Sequence, residues 1–172
     1  PSADLAISHS MIYRAKGEQT FFFRYTNLDS AEITLYPLTF EQFDEIQRGD
    51  VEANRFTPRV KALRTWKPDL TGDPNQTRTA EYDLKDANGE ALAPGYYFVG
   101  LKAQPFEVPS EYFLEGRIIV VATDNLTFKT TQNEALAWLT DLETGKPTAN
   151  VSVVFYDEKG REIAKAKTDK NG

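Results

Sequence analysis

The sequence predicts an all-β chain: one antiparallel β-sandwich with a single short inserted helix, followed by part of a second sandwich. Three observations predict it. Short runs of β-branched and aromatic residues recur along the chain, each bounded by Gly, Pro, Asn or Asp. One stretch alone carries apolar residues at helical spacing. After residue 123 four more strand-like runs follow, but 124–172 is only about half of the ~100 residues that a seven-stranded sandwich takes.

In chain order, "QTFFFRYT" (19–26) and "AEITLYPL" (31–38) read as strands flanking a turn, "NLDS". Alternation puts Phe21, Phe23 and Tyr25 on one face, and Phe22, Arg24 and Thr26 on the other. The helix is "LTFEQFDEIQRGD". Phe40, Phe43 and Ile46 form its apolar stripe, Thr39 and Gln42 fit a capping box, and Gly49 stops it. Residues 50–77 are polar and irregular apart from a strand in "KALRTW" (61–66). Strands at 78–84 and 95–103 flank "KDANGEALAP", and "GRIIVVAT" (116–123) follows. The second unit offers strands at 126–131, 134–141, 151–157 and 162–169, joined by "LETGKPTAN" and "EKG". The reading is therefore a domain at 1–123 and the N-terminal half of another at 124–172. The last dipeptide, Asn171-Gly172, is a strong tight-turn signal where a next strand is expected, as if the domain were cut there.

Composition narrows the function. Among 172 residues, 40% are hydrophobic and 27% charged, enough for a core and a polar surface. The formal net charge of −6 argues against nucleic acid, whose phosphates need a basic patch. With no cysteine there is no disulfide, thiolate metal site or cysteine nucleophile. The single histidine, His9, has no partner for a triad or a metal cluster. Asp69, Asp73 and Glu81 are scattered acids without a set separation, so they make no hydrolytic pair. The turns "YDEKGRE" and "KDANGE" lack the alternating oxygen ligands of a calcium loop. Asn75-Gln76-Thr77 and Asn125-Leu126-Thr127 match the Asn-x-Thr pattern by chance. No apolar run nears the ~18 residues that span a bilayer, and no cofactor is expected.

The last forty residues carry a resemblance. Trp138, Thr140-Asp141-Leu142, Thr144-Gly145-Lys146-Pro147, the Val-rich run Val151 to Phe155, Asp157 to Gly160, and Thr168-Asp169 with Gly172 follow one another as in the macroglobulin-like domains of bacterial alpha-2-macroglobulins. Upstream, "FRYTNLDSAEITLYPLTFEQF", Trp66, "APGYYFVGLKA" and "IIVVATDNLTFKTT" resemble the preceding domain of that family more loosely. The resemblance implies a macroglobulin-like, Ig- or fibronectin-like sandwich, in a chain that is not an enzyme. It implies a scaffold segment of a broad-spectrum protease inhibitor, periplasmic or extracellular, membrane-anchored if at all through the parent chain. Its partners would be neighbouring macroglobulin-like domains and, through the parent chain, target proteases. The family's Cys-x-Glu-Gln thioester cannot lie in this cysteine-free chain, and no bait segment is recognisable. A carboxypeptidase-regulatory-like or Ig-like module of a bacterial surface adhesin shares the Thr-Asp-x-x-Gly pattern and stays open as an alternative. The helix and irregular insert after "LYPL" favour the macroglobulin reading.

The aromatic residues outnumber what one sandwich can bury, so some are expected to face a neighbouring domain. Val108, Tyr112 and Phe113, in the loop "EVPSEYFLEG" (107–116), and Trp138 are the candidate interdomain or partner contacts. The half-domain is further expected to associate with a second copy through its open edges, or to dock on the first lobe of its own chain.

Overall fold

A computed structural model describes residues 3–8, 12–70, 73–105 and 113–172. Its strands are β1 (Asp4–Ser8), β2 (Ile12–Arg14), β3 (Thr20–Thr26), β4 (Leu28–Leu38), β5 (Arg64–Trp66), β6 (Arg78–Asp83), β7 (Gly95–Pro105), β8 (Phe113–Ala122), β9 (Asp124–Thr130), β10 (Ala135–Asp141), β11 (Ser152–Tyr156) and β12 (Glu162–Lys167). The helix α1 (Phe40–Gln47) follows β4, and a single 3-10 turn covers Ala53–Arg55. The chain divides into two compact units, Pro1–Val121 and Ala122–Gly172.

The first unit is a sandwich of a three-stranded sheet, β1-β3-β6, and a five-stranded sheet, β2-β8-β7-β4-β5. The pairs β1-β3, β3-β6, β4-β5, β4-β7 and β7-β8 are antiparallel. Alternation works as the sequence predicts: Phe21, Phe23 and Tyr25 of β3 are buried and Phe22 and Arg24 exposed. They meet Ala31, Ile33 and Leu35 of β4, Val99, Leu101 and Ala103 of β7, and Ile119 and Val121 of β8 in one core. Trp66, from the five-stranded sheet, crosses to Phe21 at 6.2 Å and Tyr82 at 6.3 Å between ring centroids, while the Arg64 guanidinium lies 4.8 Å above its ring.

Two connections differ from the sequence reading. "NLDS" does not fold β3 back on β4. Only Asn27 interrupts the strands, and they lie in different sheets. Asn27 takes a left-handed φ of 54°, which asparagine tolerates. Its side chain bridges to Asn75, accepting the Asn75 backbone N–H at 2.7 Å and donating to its carboxamide at 3.1 Å. One residue therefore turns the chain from one sheet to the other. Likewise β6 and β7 are not neighbours. "KDANGEALAP" holds a small turn at Asp86 to Gly89, flanked by the bridge Lys85↔Ala91, and then carries the chain across. β1 and β2 were not anticipated. They are short, and β2 shows only one buried residue, Tyr13, whose hydroxyl donates to the Thr20 carbonyl at 2.7 Å. Burial pushes the Tyr13 phenol up to about 12.

Gln19 governs that end of the sandwich. It is almost fully buried, and its carboxamide pairs with both backbone groups of Leu92: Nε2 donates to the carbonyl at 3.1 Å, and Oε1 accepts the N–H at 2.7 Å. Nε2 also donates to the Arg14 carbonyl at 3.2 Å, and the Gln19 carbonyl accepts the Leu84 N–H at 2.7 Å.

Helix α1 covers the outer face of the five-stranded sheet. Thr39 caps it, accepting the Gln42 N–H at 3.3 Å. Gly49, at φ 77°, ends it, with Asp50 N–H reaching back to the Glu45 carbonyl at 3.1 Å. The capping box is only half made. Gln42 is buried, and neither of its carboxamide atoms has a hydrogen-bond partner among the described residues, so it does not return to Thr39. Phe43 stacks on Tyr96 at 4.1 Å and, with Ile46, joins a second apolar cluster around Leu38, Phe56 and Phe98. Phe40, the third residue of the expected stripe, stays half exposed at 52%.

The second unit consists of two antiparallel hairpins, β9-β10 and β11-β12, the latter with a bulge at Phe155/Tyr156. Phe128 and Phe155 touch across them at 5.8 Å. The rest is polar. Thr168 accepts the Val151 N–H through its hydroxyl at 3.0 Å, donates to the Thr148 carbonyl at 2.7 Å, and pairs its own backbone N–H with the Val151 carbonyl. The Thr148 hydroxyl in turn donates to Asp124, and its N–H to the Leu139 carbonyl at 3.0 Å.

Asp157 and Asp86 form turns of one design. Each carboxylate accepts the N–H groups two and four residues on, at 2.8–2.9 Å, and each turn has a left-handed glycine three residues on. Those N–H bonds, led by the ones from Arg161 and Glu90, hold both carboxyls below their usual range.

Two predictions follow from these contacts. Gln19→Ala strands the buried Leu92 N–H and should lower the unfolding free energy by about 2–3 kcal/mol. Urea denaturation measures it, and an unchanged midpoint would contradict the role given to Gln19. The second concerns acid. The folded-state pKa values of Asp86 and Asp157 are depressed, so their contribution is present above the unfolded value of about 4 and is lost as pH falls through the folded values. The gap in melting temperature between the native chain and Asp157→Asn should exist at neutral pH and close in acid. A gap that widens in acid would reverse the assignment.

Candidate interaction surface

The exposed apolar side chains are concentrated in the second unit. Of the ten large ones exposed among the described residues, Leu126, Phe128, Leu136, Trp138, Tyr156 and Ile163 lie there, although that unit has far fewer residues than the first. Among its described hydrophobic residues only Leu139 is buried. The cause is the pairing register. Leu136 lies opposite Lys129 and Trp138 opposite Thr127, so these share one face of the hairpin. Leu139 lies opposite Leu126 and Ala137 opposite Phe128 on the other face. β10 thus displays apolar side chains on both faces, and β11-β12 meets only one of them, through Phe155. Covering a side chain of this size contributes about 1.5–3 kcal/mol, so the uncovered surface is large for so small a unit.

Trp138 is fixed in place. Its indole N–H donates to the Asn171 carbonyl at 2.8 Å, and the neighbouring Leu139 N–H donates to the Gly172 carbonyl at 2.9 Å. The Asp169–Gly172 turn is therefore docked on the edge of β10. A side chain at 172 would collide with the Leu139 carbonyl and crowd the indole at 3.1 Å. The sequence motif acquires physical content here. Asp141 accepts three bonds, from the Glu143 and Thr144 backbone and the Thr144 hydroxyl, Gly145 turns at φ 68°, and Pro147 bridges to Thr140.

Of the other candidate contacts, Val108 and Tyr112 lie outside the described residues, as does His9. Phe113 opens β8, paired with Ala103, but only its backbone is described. The structure therefore places Phe113 in a strand of the first sandwich and Trp138 in the second unit. The sequence reading placed Leu136 on one face with Trp138 and did not single out Leu126 and Phe128, which are exposed on β9. Their alternation along β9 was the available signal.

No group of three or more His, Asp or Glu side chains is placed to hold a metal ion among the described residues. Asp83, whose carboxyl the Lys85 ammonium at 3.0 Å holds down, shares an open cleft of about 410 Å³ with Arg64, Trp66, Glu81 and Tyr82, with charges balanced. A groove of about 310 Å³ lies between the 53–58 segment and β4, β7 and β8. No helix among the described residues is long and apolar enough to cross a membrane.

Residues 123–172 match the family model of the bacterial alpha-2-macroglobulin MG3 domain. A search of curated proteins gives no significant match. Among solved structures, the chain is similar to native alpha-2-macroglobulin from Escherichia coli spanning domains MG0-NIE-MG1, with a TM-score of 0.69 and 15% identity over 95% of this chain and 53% of that one. The E. coli piece spanning NIE-MG1 gives 0.66 and 14%, over 88% and 75%. A Salmonella alpha-2-macroglobulin mutant, Y1175G, gives 0.61 and 11%, over 100% and 10%. The chain thus spans about half of the first of these proteins and a tenth of the last. Residues 123–172 thus match the model of the bacterial alpha-2-macroglobulin MG3 domain, and the chain along its length is similar in fold to alpha-2-macroglobulin domains.

Proposed function

We propose that this chain is a structural scaffold segment of a bacterial alpha-2-macroglobulin-like protease inhibitor and is itself not an enzyme. The observation that carries the reading is the second unit: a match to that family's MG3 domain model over residues 123–172, with hairpins joined by polar contacts and large apolar side chains left exposed. The first unit, with two facing sheets and a closed core, supports a complete macroglobulin-like domain at 1–123. The second, two hairpins with one buried hydrophobic residue, supports the N-terminal half of another at 124–172. The Trp138 and Leu136 face is then where a neighbouring macroglobulin-like element of the parent chain packs. Val108, Tyr112 and Phe113 serve a second such contact. Target proteases are met through the parent, in the periplasm or outside the cell.

The chain alone should leave a broad-specificity protease active on a large protein substrate, even in molar excess. The full-length parent should suppress cleavage of the large substrate while sparing a small one. Stoichiometric protection by the chain alone would overturn the scaffold reading, and a parent without effect would favour an adhesion module. The uncovered face also predicts association. In sedimentation the chain should show a concentration-dependent dimer that Trp138→Ser with Leu136→Ser weakens. A strict monomer at all concentrations would remove the argument from the open face.

A further inference from the structure

Asn-Gly occurs twice in the chain, at Asn88-Gly89 and Asn171-Gly172. In this dipeptide the glycine nitrogen can reach the asparagine carboxamide without a side chain in its way. The nitrogen loses its proton and bonds to Cγ, ammonia leaves, and a cyclic succinimide forms. Water then opens the ring to aspartate, or to isoaspartate with one more carbon in the main chain. Only water is consumed. The two sites share the sequence Asp-x-Asn-Gly and the same hydrogen bonds within those four residues. Each belongs to an Asp-x-Asn-Gly turn in which the Asp accepts the Asn backbone N–H, at 2.8 Å for Asp86 and 2.7 Å for Asp169. In each, the Asn carboxamide leans on the same carboxylate at 3.4–3.5 Å, and the glycine N–H donates to the Asp carbonyl at 3.1 Å. The glycines have φ of 83° and 89°.

What separates them lies outside the turn. Both Asn88 and Asn171 are exposed. Among the described residues, the hydrogen bonds of the Asn88 turn run within residues 86–90. The Asn171 turn is held from outside as well: the Trp138 indole donates to the Asn171 carbonyl, and the Leu139 N–H to the Gly172 carbonyl. Attack requires the peptide between Asn and Gly to rotate, which breaks the bond from the glycine N–H to the Asp carbonyl. At Asn171 that peptide's own carbonyl is the acceptor for Trp138, so rotation must also break the contact with β10.

We propose that Asn88 is a site of spontaneous deamidation and isoaspartate formation in the folded protein, and that docking on β10 withholds Asn171 from the same reaction. Incubation of the folded chain at mildly alkaline pH, with a parallel sample in denaturant, followed by peptide mass spectrometry, gives a protection factor for each site. The factor for Asn171 should exceed that for Asn88 by about tenfold, because the Trp138 bond to the rotating peptide must also open. Trp138→Phe, which keeps the ring and removes the donor, should narrow that ratio several-fold while the Asn88 rate, in the other unit, stays unchanged. Equal protection at the two sites, or stronger protection at Asn88, would overturn the proposal.

Discussion

The paired carboxamide of Gln19 with the backbone of Leu92 is the constraint on which the first sandwich depends. A sandwich whose consecutive strands sit in different sheets must carry backbone across its ends, where no ladder satisfies the N–H and C=O groups. Gln19 supplies the missing partners from the start of β3. It binds the exit of β2 and the crossover from β6 to β7 at once. A buried carboxamide with all its capacity in use is favourable, and one left half-satisfied is costly. The site therefore selects a single path for three segments that are far apart in sequence.

The second unit reaches order by another route. It buries almost no apolar surface, and its hairpins are joined by Thr168, Thr148, Asp124 and the Asp-centred turns. These bonds are local and geometric, and each contributes about 1 kcal/mol net in water. Such a skeleton fixes where strands run and which side chains face outward, while leaving the apolar contribution to whatever covers the sheet. That division suits a module whose stability is completed by a neighbour.

Strand positions were legible in the sequence, and faces were legible where only one is apolar, as along "FFFRYT", because alternation there has only one reading once a core exists. Connectivity was not. "NLDS" has the composition of a turn, yet Leu28 to Ser30 already belong to β4. Asn27 alone makes the corner, and its partner, Asn75, is 48 residues away. Gln19 was invisible for the same reason, since its value comes from Leu92, 73 residues on. The Thr39-Gln42 capping box failed in its second half because tertiary burial drew the glutamine inward. The excess of aromatic residues had a partly internal answer: Tyr36, Phe43, Phe56, Tyr96 and Phe98 form a second cluster outside the main core. In the C-terminal unit the motif residues were legible as turns, but not as the docking of Gly172 against Trp138.

That outer cluster rests on two glycines. Gly100 and Gly116 stand directly opposite each other on β7 and β8. A side chain at 116 would collide with the Ala53 carbonyl and the Phe98 ring, so the 53–58 segment and that ring sit at the level of the sheet's own backbone. The covering layer is keyed into a furrow rather than resting on side-chain tips. A push on Ala53 is then passed to β8 at Gly116 with no side chain of β8 in between. In mechanical terms, Ala53 is seated on the sheet's own backbone at Gly116, a point with no side-chain cushion to yield under load.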